Sequence, residues 1–166
     1  IIDPKSYDGP LFRNRTDAKH KLRLGNRSWA NSNYKFNKGL TSPEWTENHT
    51  LQVSDNLWFN DSISGALLTK IYDRPLQNKK YRYSCLGFIL LQKCIENITG
   101  MPMDQYLAES FYEPMGLNLM FNPSGKISKD KIIASNDDKF FRKEVVQGFV
   151  HDETPALLGG VSGNAG

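Results

Sequence analysis

The first fifty residues show no sustained apolar period of two or of 3.6 and are rich in Asn, Lys, Arg and Trp. That pattern predicts a polar insertion or lid over residues 1–50, with short helical turns. From Gln52 the spacing turns helical. Leu57, Ile63, Leu67, Leu68 and Ile71 recur near helical intervals until Asp73-Arg74-Pro75 stops the run. A second helix is the clearest element: Ser84 offers an N-cap, and Leu86, Ile89, Leu90, Cys94, Ile95 and Ile98 follow at helical spacing. Gly100 closes it, with Pro102 just beyond. A third helix is expected from Pro102 through Phe111, broken by Glu113-Pro114-Met115-Gly116. Val145-Val146 and Phe149-Val150 suggest a short extended piece, Asp152 a helix cap, and Pro155-Ala156-Leu157-Leu158 a last helical turn. The pattern therefore predicts a mostly α chain with long polar loops and no internal repeat.

Composition narrows the function. In 166 residues, 39% are hydrophobic and 23% charged, enough for a packed core. No apolar run is long enough to predict a membrane span. The net charge of +3 is a small surplus without a basic, aromatic-interleaved stripe, so nucleic acid is not an expected partner. Two cysteines, Cys85 and Cys94, exclude a disulfide framework and a four-cysteine zinc site. On one helix, nine residues apart, they would face opposite sides about 13 Å apart along the axis, so two free thiols are expected. Five Asn-x-Ser/Thr sequons, at Asn14, Asn26, Asn48, Asn60 and Asn97, read either as glycosylation sites or as chance in an Asn-rich chain. The chain opens on Ile1-Ile2 and closes in the glycine-rich run 159–166, which reads as a segment of a longer protein.

Residues 81–117 carry a resemblance. Tyr83-Ser84-Cys85-Leu86-Gly87-Phe88-Ile89-Leu90-Leu91 resembles the second motif of the serine β-lactamase-related hydrolases, the class C β-lactamase and penicillin-binding-protein group. There, Tyr-Ser-Asn or Tyr-Ser-Asp precedes an apolar helix. The similarity continues through Ile95-Glu96-Asn97-Ile98-Thr99-Gly100 to Phe111-Tyr112-Glu113-Pro114-Met115-Gly116-Leu117. The tail, from Gln147-Gly148-Phe149-Val150-His151-Asp152-Glu153 to Leu158-Gly159-Gly160-Val161-Ser162-Gly163-Asn164-Ala165-Gly166, is similar to a Bacteroidetes-type branch of that family.

The resemblance implies the helical subdomain of a β-lactamase/transpeptidase-like fold over residues 51–166, with the α/β half outside this chain. It implies an acyl-enzyme reaction on a β-lactam, an ester or a peptidoglycan peptide, no cofactor, and a periplasmic, cell-surface or secreted location. Tyr83 then corresponds to the general base and Cys85 to the residue that binds substrate polar groups. A free tyrosine has a pKa of about 10, and a following helix N-terminus with Lys79, Lys80 and Arg82 nearby would favour the phenolate. Tyr83 also reads as a packed aromatic at a helix start. Cys85 departs from the family pattern, because a thiol cannot both donate and accept as an amide does. As a nucleophile it would need a base, and His20, His49 and His151 are all distant in sequence, so an inert buried thiol is the plainer reading.

Two Ser-x-x-Lys strings occur, at Ser32 to Lys35 and Ser128 to Lys131. Ser32 lies in a polar stretch and Ser128 follows the tyrosine, so neither fits the family's nucleophile. The third motif, a cation followed by Thr/Ser-Gly, is also missing from this segment. His151-Asp152-Glu153 lacks metal-ligand spacing. Three functional readings remain open: an acyl-transferring enzyme, a non-catalytic binding or regulatory module that has kept the fold, and an unrelated helical interaction domain.

Overall fold

The computed structural model describes residues 21–23, 29–31, 35–75, 81 and 84–162. It corrects the mostly α expectation. Among the described residues, seven short strands form three small sheets, between and after which lie four α-helices, a π-helical turn and a 3₁₀ turn.

The residues fall into two compact units. One holds the described residues through Tyr72 together with Asp138–Glu144; the other holds Asp73–Asp137 and the residues from Val145 onward.

In the first unit, β1 (Lys21–Arg23) pairs antiparallel with β2 (Trp29–Asn31). A three-stranded sheet joins β3 (Thr41–Ser42), β4 (Leu51–Ser54) and β5 (Leu57–Phe59) in the order β3-β5-β4. The run from Gln52, read from sequence as the start of a helix, is in fact a hairpin. Asp55-Asn56 is its two-residue turn, a composition that suits tight hairpin connections. Leu51 pairs with Phe59 and Gln52 with Trp58, but Ser54 pairs with Leu57, so Val53 sits at a bulge.

Alternation puts Val53 and Phe59 inside, at 1% and 0% exposure. Phe141 stacks on Phe59 with ring centroids 5.7 Å apart, and Phe36 meets both rings edge-on at 5.1 and 5.6 Å. Helix α1 (Ser62–Tyr72) starts where Asn60 Oδ1 accepts the Ser62 amide, and it buries Ile63.

In the second unit, α2 (Leu86–Thr99) ends at Gly100, whose φ of +72° suits a residue without Cβ. Helix α3 (Met103–Leu107) begins after Pro102 and continues as a π-helical turn over Ala108–Tyr112. A 3₁₀ turn (Lys129–Lys131) precedes β6 (Ala134–Asp138), which pairs with β7 (Glu144–Gln147). Helix α4 (Glu153–Ala156) follows. Ile89, Met103, Val146, Val150, Leu157, Leu158 and Val161 are buried in this unit. Among the described residues no helix is long and apolar enough to cross a membrane.

Candidate active-site segment

The segment that leads into α2 is where the sequence places its chemistry. Tyr83 lies outside the described residues, as do Lys79, Lys80 and Arg82. Their neighbours show how the helix begins. Cys85, rather than Ser84, holds the N-cap position, with φ −58° and ψ −26° and no side-chain capping bond. Ser84, one residue earlier, still supplies an oxygen: its Oγ accepts the Leu86 amide at 3.3 Å. The Gly87 and Phe88 amides donate to the carbonyls of Ser84 and Cys85, both at 3.1 Å, so the first turn is wound tightly on this dipeptide. Cys85 is a half-buried thiol and Cys94 an exposed one, and neither is in a disulfide.

The far end of α2 is pinned by Glu96. Its carboxylate accepts from Lys93 Nζ at 2.7 Å, from Gln92 Nε2 at 2.8 Å and from the Met103 amide at 3.4 Å, which ties α2 to the first turn of α3. Burial alone raises the Glu96 pKa. The bonds from Lys93, Gln92 and Met103 outweigh it, so the carboxyl sits below its ordinary value of 4.5.

The glycine-rich tail is built from the same unit. Gln147 Nε2 donates to the carbonyls of Lys129 and Ile132, and Ser135 Oγ donates to those of Val146 and Phe149. Asp152 caps α4 by accepting the Thr154 amide at 3.0 Å, the role its position in the sequence implied. Asn122 Nδ2 donates to the Gly159 carbonyl at 2.9 Å. Ser162 is 1% exposed, and residues 163–166 lie outside the described set.

The other residues singled out in the sequence do not converge on this segment. Ser32 and His20 lie outside the described residues. Ser128 is exposed at the start of the 3₁₀ turn, where its hydroxyl donates to Asp130 and its carbonyl accepts the Lys131 amide. That Ser-x-x-Lys string therefore forms a local turn. His49, in the first unit, has Nδ1 2.8 Å from Thr46 Oγ1 and Nε2 3.0 Å from the Gly39 carbonyl oxygen. His151 is exposed. Among the described residues no group of three His, Cys, Asp or Glu side chains is placed to hold a metal ion.

Sequence reasoning missed the polar groups of the first unit. Ser54 is 1% exposed, and it lines a cavity of about 220 Å³ beside Arg142. A period-two reading of Leu51, Val53, Leu57 and Phe59 around Asp55-Asn56 would have found that hairpin. No local signal marks Arg142 as its partner.

Comparison with known proteins gives this geometry a context. No family model and no solved structure matches the chain. Curated proteins do. The chain is 33% identical over 153 residues to an Escherichia coli K12 protein named "Putative D-alanyl-D-alanine carboxypeptidase", an alignment covering 71% of this chain and 35% of that one. A Salmonella newport protein of the same name is 31% identical over 137 residues, covering 68% of this chain and 32% of its own. The "N-acetylmuramyl-L-alanine amidase" of Bacillus subtilis is 35% identical over 112 residues, covering 60% and 25%. The chain thus spans about a third of the length of the carboxypeptidase relatives. It is similar to part of proteins whose names describe a D-alanyl-D-alanine carboxypeptidase or an N-acetylmuramyl-L-alanine amidase.

Proposed function

We propose that this chain is part of an acyl-transferring hydrolase of the cell envelope that acts on a peptidoglycan peptide. The observation that carries the reading is the 33% identity, over 71% of the chain, to a protein named "Putative D-alanyl-D-alanine carboxypeptidase". The Tyr83-Ser84-Cys85 motif at the head of α2 accords with it.

In this reading the parent protein's serine attacks the peptide carbonyl and Tyr83 accepts the hydroxyl proton. An acyl-enzyme forms, the amine leaves with a proton, and water then releases the acyl group. The N-terminal end of α2 lies two residues beyond Tyr83, and a helix N-terminus favours an anion, here the phenolate. Cys85 faces the substrate's polar groups in place of the amide or carboxylate usual at that position. Peptidoglycan as substrate puts the parent protein in the periplasm or at the cell surface.

A second reading has one observation in its favour. The Cys85 thiol is a weak donor and acceptor, so a non-catalytic module that still holds peptidoglycan accounts for it equally.

The test is Tyr83→Phe in the full-length protein, read by pre-steady-state acylation. General-base loss should slow acylation at least about 100-fold. Tyr81→Phe, at a residue 94% exposed, should leave the rate within a few-fold. Equal rates for Tyr83→Phe and wild type would remove the general-base assignment. No acylation of the wild-type protein by any peptidoglycan peptide would favour the binding module.

A further inference from the structure

Helix α2 carries its charges on the side that faces its own core. Lys93 and Glu96 are its only charged residues, and they lie on the same side as Ile89 and Gln92, which are 1% and 3% exposed. Glu96 faces the first turn of α3, where it accepts the Met103 amide. On the opposite side, at about 100° per residue, Gly87, Leu91, Cys94 and Ile98 fall within about 60° of one another. None of the four is charged. Leu91 is 59% and Ile98 82% exposed, and Cys94 is exposed between them.

A single exposed apolar side chain needs no explanation, but an apolar stripe along a helix does. A helix that is apolar away from its core as well as toward it is covered on both sides. Gly87 points the same way. A Cβ there would meet nothing within 4 Å, so this chain's own packing does not require glycine, although glycine in a helix is less stable than alanine.

The relatives indicate what covers the stripe. The alignment with the Escherichia coli protein takes in 35% of that protein, so about two thirds of its length lies outside the matched part. From Gly87 to Ile98 the stripe runs about 16 Å, three turns of helix. Its spacing of four, three and four residues is the pattern on which a second helix packs.

We propose that in the parent protein this stripe of α2 is buried against an apolar helix from the polypeptide outside this chain, with Cys94 at the centre of the seam. Gly87 lets that helix approach the first turn closely. The proposal rests on the reading of this chain as part of a longer hydrolase.

The test is N-ethylmaleimide labelling of the full-length protein, with the Cys94 peptide quantified by mass spectrometry. Native protein should label at Cys94 at least about 100-fold more slowly than urea-unfolded protein, because a covered thiol reacts only when the seam opens. That protection should persist on dilution, since the occupant belongs to the same polypeptide. Ile98→Lys should lower Tm and speed Cys94 labelling, because a charge on a covered apolar face lacks a partner, whereas Ile98→Leu should change neither much. Labelling of native Cys94 within a few-fold of the unfolded rate would leave the stripe in solvent and overturn the proposal. Protection lost on dilution would assign the stripe to a second copy and overturn it too, as would an unchanged Tm in Ile98→Lys. The wild-type labelling decides the matter even where Ile98→Lys does not fold. None of these readouts needs turnover, so a protected Cys94 in a protein that hydrolyses no peptidoglycan peptide would keep the seam and remove the hydrolase reading.

Discussion

Arg142 and Asp138 form a buried ion pair, Nη1 to Oδ2 at 3.1 Å, with side chains 0% and 5% exposed. The same carboxylate accepts the backbone amides of Phe140, Phe141 and Arg142 at 2.9, 2.7 and 3.0 Å. Arg142 Nε donates to the Val53 carbonyl at 2.8 Å, the residue that the β4 bulge removes from the ladder. One acid thus shapes the turn, and one base fastens it to β4. Phe141 is held against Phe59 as a result.

Removing one partner of such a pair leaves the other charge buried and unmatched. Asp138→Ala should destabilise the chain by about 3–5 kcal/mol in urea denaturation, while Asp138→Ala combined with Arg142→Met should cost clearly less than the sum of the two single changes. Strict additivity would show that the two side chains do not depend on each other.

Glu96 sets an acid-side dependence. Its folded-state pKa lies below its ordinary value of 4.5, so its contribution is complete above the unfolded value and is lost as pH falls through the folded one. Glu96→Gln should lower stability at pH 7 by less than about 1 kcal/mol, because the Lys93 pair is partly exposed, and should flatten the decline below about pH 4.5. Thermal melts between pH 3 and pH 7 check it. An unchanged slope in the variant would mean that the Lys93 and Gln92 bonds do not persist in solution.

Two glycines with the same φ of +72° should respond differently to alanine. At Gly100 a Cβ meets open space, and the change should cost about 1 kcal/mol through the backbone alone. At Gly160 a Cβ would lie 2.5 Å from Asn122 Oδ1, the side chain that also holds the Gly159 carbonyl, so Gly160→Ala should cost on the order of 1–3 kcal/mol more. Equal losses in Tm would show that Asn122 moves aside freely.

Both thiols should be reduced and should react at different rates. Intact mass measured without reductant should show no bridge, and a thiol-reactive dye should label exposed Cys94 several-fold faster than half-buried Cys85. Faster labelling of Cys85 would point to an activated thiol at the head of α2.

The elements that the sequence reveals by itself are those made of near neighbours. Helix α2 follows from its apolar spacing and from the αL glycine that stops it, the start of α4 from the capping oxygen of Asp152, and the lack of a bridge between Cys85 and Cys94 from their nine-residue spacing. Each depends on groups within about three turns of one another, so a one-dimensional pattern carries the information.

The first unit was not. Its hairpin needs Leu51 opposite Phe59, its sheet needs Thr41 opposite the same residue, and its lock needs Arg142 to reach Val53 across 89 positions of chain. Helical spacing through Leu57 and Ile63 outweighed the local Asp55-Asn56 turn because periodicity registers neighbours along the chain and is blind to partners across it. Strand pairing, the aromatic stack of Phe59 on Phe141 and the unmatched hydroxyl of Ser54 exist only once distant segments meet, and it is that meeting, decided by tertiary packing, that makes the cavity.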